Sequence, residues 1–254
     1  MVPLLWFVVT SLKPTADILS FPPRWIPKTV TSRHYATILS NPSIGRYYLN
    51  SFIVCLGTIL VTLLLGSHIG YAAARVRFRG KNVLLFGILA TSMVPAISIL
   101  PALYIMSLRL SLHDTYLILI LVYSAQNIPT VTWIMRGFFE SISPELEEAA
   151  LIDGCTRLQT LYRIIFPLAQ PGLASSAILV FINVWNEWLI AQNLTISEHM
   201  QVVPVGLYNF IRDIGVEWGS FSAYTVVSIV PVVVLFLALQ TRFIEGLTAG
   251  GLKG

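Results

Sequence analysis

Apolar residues run through this chain in long blocks, and polar residues are gathered into short intervals between them. Five blocks, at residues 48–74, 83–106, 115–135, 173–191 and 220–239, are near the roughly 20 residues a helix needs to cross hydrocarbon. An opening block, residues 1–12, rises only about 18 Å as a helix and cannot span alone. A signal-peptide core is one reading of it, but neither a basic start nor a small-residue cleavage site precedes Lys13. A first span that starts late is therefore the favoured expectation. The following stretch, from Ser11 to Pro42, holds five prolines and predicts an extended external loop. Pro95 and Pro101 predict kinks in the 83–106 span, and Gln126, Asn127 and Pro129 predict an interruption of the 115–135 span. Pro231 lies in the last span. Residues 194–219, with Trp218, are expected as an outer segment folding partly back toward the membrane, and residues 241–254 as a short glycine-rich tail. The expected fold class is all-α: a polytopic transmembrane helical bundle of about six spans, one domain over residues 1–254.

Residues 143–168 are the only long polar island between two spans. Ser143 suits an N-cap, Pro144 suits the first helical position, and Glu145, Glu147 and Glu148 place negative charge where the helix dipole favours it. Gly154 can end that helix in the left-handed conformation. Thr156 and Gln159 have capping-box spacing for a second helix, with Leu158, Leu161, Tyr162 and Ile165 expected on one face. The prediction is a helical elbow. Ala149 and Ala150 would let another surface come close, and Glu148 and Asp153 would offer charge to its Arg or Lys.

Composition agrees with the pattern: 56% hydrophobic, 11% charged and a mean hydropathy of +0.76 exclude an ordinary soluble domain. The net charge of +4 could suit nucleic acid, but the basic residues cluster beside apolar spans, where a membrane surface accounts for them better. Arg75, Arg77, Arg79 and Lys81 crowd one end of the 48–74 span and place it in the cytoplasm; alternation then puts the elbow and the C-terminus on the same side. Nine Lys and Arg fall inside and seven outside, five of these in the first external loop, so the orientation rests on that cluster. Cys55 and Cys155 fall at different membrane depths and are expected as free thiols. No metal-binding spacing and no phosphate-binding G-x-x-x-x-G-K-[ST] loop is present, so no cofactor is expected on this chain.

The fifth span carries FINVWNEWLIAQN. Asn183, Asn186 and Glu187 share a helical face at i, i+3, i+4, and polar groups at membrane depth face the bundle interior or a watery path. With Gln192, Trp185 and Trp188 nearby, amides and a carboxylate could serve sugar hydroxyls while the rings stack on sugar faces. Equally, the amides could join helices and the tryptophans sit in the interfacial belt. Residue types alone leave both open.

Glu148, Ala149, Ala150, Gly154, Ile164 and Pro167 match the spacing of the E-A-A loop in permease subunits of ABC importers, which the chain therefore resembles. Phe166 stands where that family usually has leucine, an apolar exchange. Ser11–Leu12–Lys13–Pro14 is similar to the S-L-K-P found after the family's first span. W-N-E-W at 185–188 and GLTAGGLKG at 246–254 resemble its carbohydrate-uptake branch, of the second-permease type in the maltose system. The resemblance implies a sugar importer in the inner membrane, built with a second permease, two ATPase subunits holding ATP and magnesium, and an extracytoplasmic sugar-binding protein. It implies that Glu148, Ala149, Ala150, Asp153 and Gly154 couple to an ATPase groove, that the tail approaches the ATPase dimer, and that this chain is not itself an enzyme.

Two other classes fit less well. An intramembrane enzyme needs a nucleophile with a base or paired carboxylates, and Glu187 is the only acid within a span, with no histidine on a neighbouring turn. An ion-driven transporter usually carries paired embedded charges and repeat symmetry, and neither is visible. The alternative to a sugar importer is an ion-driven secondary transporter or a permease for a non-sugar substrate.

Overall fold

A computed structural model describes residues 2–212 and 215–251, with the side chains of 212 and 239–251 excepted. Among the described residues the elements are helical apart from one short hairpin. In chain order they are α1 Val2–Ser11, α2 Thr15–Ile18, α3 Arg33–Leu39, α4 Pro42–Arg75, α5 Lys81–Ser92, α6 Ala96–Arg109 and α7 Tyr116–Ser141. There follow α8 Pro144–Ile152, α9 Arg157–Thr160, a π-helical turn Leu161–Ile165, α10 Phe166–Leu168, α11 Gln170–Trp185, α12 Leu189–Leu194 and α13 Val203–Tyr208. The antiparallel pair β1 Ile211–Arg212 and β2 Gly215–Val216 leads into α14 Trp218–Gly251.

Among the described residues, three helices are long and apolar enough to cross a membrane: α4, α7 and the Trp218–Ala238 part of α14. Counting α5 with α6, and Arg157–Leu168 with α11, as single bent spans gives five. The all-α expectation holds, but several predicted spans differ in detail. The 83–106 span is a broken pair bent by 91°. Val94 precedes Pro95, which disfavours helical backbone there, and Pro95 then caps α6 in extended conformation. Pro101, by contrast, sits inside α6 without ending it. The predicted interruption near Asn127 does not occur, because α7 runs through Pro129 as one helix packed along α4. Neighbouring helices can hold such a proline in place. The 173–191 span stops at Asn186, and the stretch from Ser11 to Pro42 is not simply extended, since it contains α2 and α3. Met1 and the last three residues of the GLTAGGLKG segment lie outside the described residues. The preceding part of the predicted tail continues α14.

Among the described residues the most extensive helix contact is α4 against α7, and two glycines allow a close approach there. A Cβ on Gly66 would lie 2.8 Å from Val131 Cγ1, and one on Gly70 would lie 3.0 Å from both Arg136 N and Thr132 O. Small residues four apart let helix backbones meet where lipid provides no hydrophobic drive. Between these helices and α11 lie buried Leu119, Tyr123, Met135, Phe139 and Phe181.

Residues 194–203 are fastened to the bundle by polar contacts. Asn50 on α4 donates to His199 O (2.9 Å) and Gln201 O (2.7 Å) and accepts from Tyr116 Oη (2.7 Å). Tyr224 Oη donates to Val203 O at 3.0 Å, and Ser51 Oγ accepts from Val203 N at 2.8 Å. Asp114 receives Ile196 N (2.9 Å), Ser197 N (3.1 Å) and the Ser197 hydroxyl. Burial alone would raise the Asp114 pKa, but these hydrogen bonds outweigh it and hold the carboxyl below its ordinary value. At the first loop, the Lys13 ammonium sits 4.2 Å from the Trp6 ring centroid, and the Lys13 carbonyl is 3.0 Å from His34 Nε2.

Candidate functional site

The elbow forms as its local sequence predicts. Ser143 Oγ accepts from Glu145 N at 3.3 Å to start α8. Gly154 has φ +87°, with Cys155 N donating to Ala150 O (3.0 Å) and Gly154 N to Leu151 O (3.1 Å), the crossed pair of a Schellman end. Thr156 and Gln159 close the reciprocal capping box: Gln159 N donates to Thr156 Oγ1 at 3.3 Å and Thr156 N to Gln159 Oε1 at 2.8 Å.

Glu148, Ala149, Asp153 and Gly154 are exposed around the bend, beside exposed Leu151 and Ile152. Ala150 is the exception; it turns inward and is buried. The predicted apolar face of the second helix is also divided. Leu161 and Ile165 are buried, while Leu158 and Tyr162 are exposed. A π turn lies here, with Phe166 N donating to Leu161 O, five residues back. Widening the turn rotates the register away from 3.6 residues, one residue ahead of Pro167, which has no N–H to continue the ladder.

Sequence reasoning missed how the elbow is held. Arg75 Nε meets Glu147 Oε1 at 2.6 Å and Arg75 Nη2 donates to Ile142 O at 2.7 Å. Tyr71 Oη donates to Glu147 Oε2 at 3.1 Å. Arg75 thus does more than belong to the basic cluster at the end of α4. Farther along α4, His68 lies 2.5 Å through Nδ1 from Leu64 O and 2.7 Å through Nε2 from Tyr162 Oη. A carbonyl only accepts, so Nδ1 carries the proton, and in the neutral ring Nε2 accepts from the tyrosine.

At the fifth span the expected shared face is split. Helix α11 ends at Trp185, Asn186 is its C-cap, and the chain restarts at α12. The Glu187 carboxylate accepts from Ile190 N (2.9 Å), Ala191 N (3.3 Å) and Tyr123 Oη (2.6 Å). It therefore anchors the start of α12 and ties it to α7. Asn183 Nδ2 donates to Asn127 Oδ1 at 3.1 Å, and Asn127 Nδ2 to Tyr123 O at 2.9 Å. Asn183 and Glu187 line a polar cavity of about 220 Å³ together with Tyr123, Gln126, Asn127 and Thr130. Asn186 faces elsewhere: with Trp185, Trp188 and Tyr208 it lines a larger, mostly apolar cavity of about 550 Å³. Trp185 is buried there, its Nε1 donating to Ser228 O at 3.0 Å, while Trp188 is partly exposed and 5.6 Å from Tyr208.

A membrane bundle with an exposed helical elbow at one place and a polar cavity among its spans suits a transport subunit. Residues 64–246 match the family described as binding-protein-dependent transport system inner membrane component. The chain is 36% identical over 252 residues to the sulfoquinovosyl glycerol transport system permease protein SmoH of Agrobacterium fabrum, covering 99% of this chain and 88% of that one. It is 35% identical over 255 residues to the trehalose/maltose transport system permease protein MalG of Thermococcus litoralis, covering 99% and 91%. Among solved structures, a chain of a bacterial ABC transporter involved in importing the acidic polysaccharide alginate superposes with a TM-score of 0.81. Its identity is 26%, over 95% of this chain and 90% of that one. The chain belongs to the binding-protein-dependent transport system inner membrane component family, and it is a permease subunit of an ABC importer.

Proposed function

We propose that this permease carries a sugar, or another small polyhydroxylated molecule, delivered by an extracytoplasmic binding protein. The supporting observation is the polar cavity between α7 and α11. Gln126, Asn127, Thr130 and Asn183 supply amide and hydroxyl groups that both donate and accept, as a substrate with many hydroxyls requires. The names of the two relatives, whose substrates are hydroxylated, agree with this chemistry. The chain forms half of the path, with a second permease as the other half. The elbow lies in the cytoplasm, as does the end of α14, and presents Glu148, Ala149, Asp153 and Gly154 to one of two ATPase subunits. Ala150 supports that bend from inside. ATP and magnesium belong to the ATPases. Glu187 is committed to Tyr123 and the α12 backbone, which supports a structural role rather than ion coupling.

Purification of the intact complex, followed by uptake into proteoliposomes with its binding protein and a panel of sugars, tests the reading. Sugar-stimulated, ATP-dependent uptake is expected. Asn183→Ala should cut it about tenfold, the size of one lost amide hydrogen bond, with assembly unchanged. Stimulation only by apolar or simple ionic substrates, or uptake driven by an ion gradient without ATP, would overturn it.

A further inference from the structure

The elbow touches the bundle through α4 at two places, and both contacts are side-chain specific. At the first, the Arg75 guanidinium joins the Glu147 carboxylate and the Ile142 carbonyl at once, while Tyr71 takes the second carboxylate oxygen. Both charged side chains are only 15% exposed, so solvent screens this pair less than a surface ion pair. At the second, His68 bonds Tyr162 and stands edge-on to Phe166, which itself stacks on Phe139 of α7. Glu147 lies next to the exposed Glu148, yet it turns to the bundle while its neighbour stays exposed. Along the same stretch of α4, Gly66 and Gly70 let the helix approach α7 closely, at the Val131 side chain and at the Thr132–Arg136 backbone. Helix α7 carries Tyr123, Gln126, Asn127 and Thr130 to the polar cavity.

We propose that Arg75, with Tyr71 and Glu147, is a positioning clamp that makes α8 and α4 a single lever, with His68 and Tyr162 as its second hold. Displacement of the elbow is passed through α4 to α7 and so to the cavity walls. A permanent contact of this kind transmits motion because packed helices shift as units instead of deforming. The clamp's role in transport rests on the importer reading; its rigidity does not.

Two measurements on the assembled complex separate these points. In Arg75→Met and Glu147→Ala, the ratio of binding-protein-stimulated to basal ATP hydrolysis should fall about tenfold, as loss of charge-assisted hydrogen bonds predicts, while the ATPases still co-purify. Arg75→Lys should fall between, since an ammonium lacks the fork that reaches both Glu147 and Ile142. An unchanged ratio in both severe variants would overturn the clamp, as would loss of the ATPases, which would make Glu147 a docking residue. Amide hydrogen exchange of α8 judges rigidity even if no sugar stimulates the wild type. Exchange about tenfold faster in both variants is expected, and exchange equal to wild type would overturn the clamp.

Discussion

Replacing Gly154 separates backbone conformation from side-chain bulk at the elbow. Its φ of +87° lies in the left-handed region, yet a Cβ built there meets no atom within 4 Å. Side-chain volume is therefore free at this site, and any penalty comes from the backbone alone. Alanine should cost about 1–2 kcal/mol, the ordinary penalty for an L-residue in this region. Valine should cost more, because a β-branched side chain is a genuine outlier at positive φ, and asparagine less, because it is enriched there. The two hydrogen bonds from Gly154 N and Cys155 N would open with the turn. A cost of that size changes the population of the closed elbow by a factor of about 5–30. The assay is the ratio of stimulated to basal ATP hydrolysis in the reconstituted complex, with membrane insertion checked separately. The expected order is glycine, asparagine, alanine, valine. An order that followed side-chain size instead, or normal coupling in Gly154→Val, would refute the conformational argument.

Gly70→Val places a branched side chain against the α7 backbone and should destabilise the α4–α7 pair by about 1–3 kcal/mol, the range for overpacking. Thermal unfolding in detergent measures it; an unchanged midpoint would mean the helices can separate freely there. Asp114→Ala should loosen the 194–197 segment by about 1–3 kcal/mol through the unpaired Ser197 and Ile196 donors, seen as faster hydrogen exchange at those amides. Because the folded Asp114 carboxyl titrates below its ordinary 3.8, its contribution is complete above that pH and fades as pH falls through the lower folded value. A wild-type segment whose exchange protection vanished already at neutral pH would contradict this sign.

What was legible in the chain is what depends on near neighbours. The capping box spans three residues, the Schellman end is set by one glycine, and the apolar blocks declare their own length. Helical extrapolation failed where a local event changed the register. Asn183, Asn186 and Glu187 share a face only if the helix continues past Trp185, while the face of Leu158, Leu161, Tyr162 and Ile165 is cut by the edge of the buried surface, which periodicity does not locate. Proline was an ambiguous sign: Pro95 marks a break, whereas Pro101 and Pro129 lie inside helices, and tertiary packing makes the difference. The contacts that assemble the sites were beyond reach because they join distant residues. Arg75 and Glu147 are 72 apart, Tyr123 and Glu187 are 64 apart, and Asn127 and Asn183 are 56 apart. Gly66 and Gly70 are different: their spacing is local, yet the close helix pair they serve is known only from the packed structure.

The distribution of straight and broken helices suits a part that must move without losing its core. Helices α4 and α7 are continuous, meet at glycines and carry the elbow's holds at one end and the cavity's amides farther along. The bends lie elsewhere: 91° between α5 and α6, 73° between Arg157–Leu168 and α11, and the restart after Asn186. Bending at such junctions costs little, because their backbone ladders are already interrupted, whereas bending within α4 would separate it from α7 along the packed face. Glu187 stands at the last of these junctions and binds α12 to α7 through Tyr123. A lever that shifted α7 would therefore carry α12 with it while Asn183 stayed on α11. The Asn127–Asn183 hydrogen bond, an amide link across the cavity, would then be the contact that opens and closes as α7 and α11 change their relation.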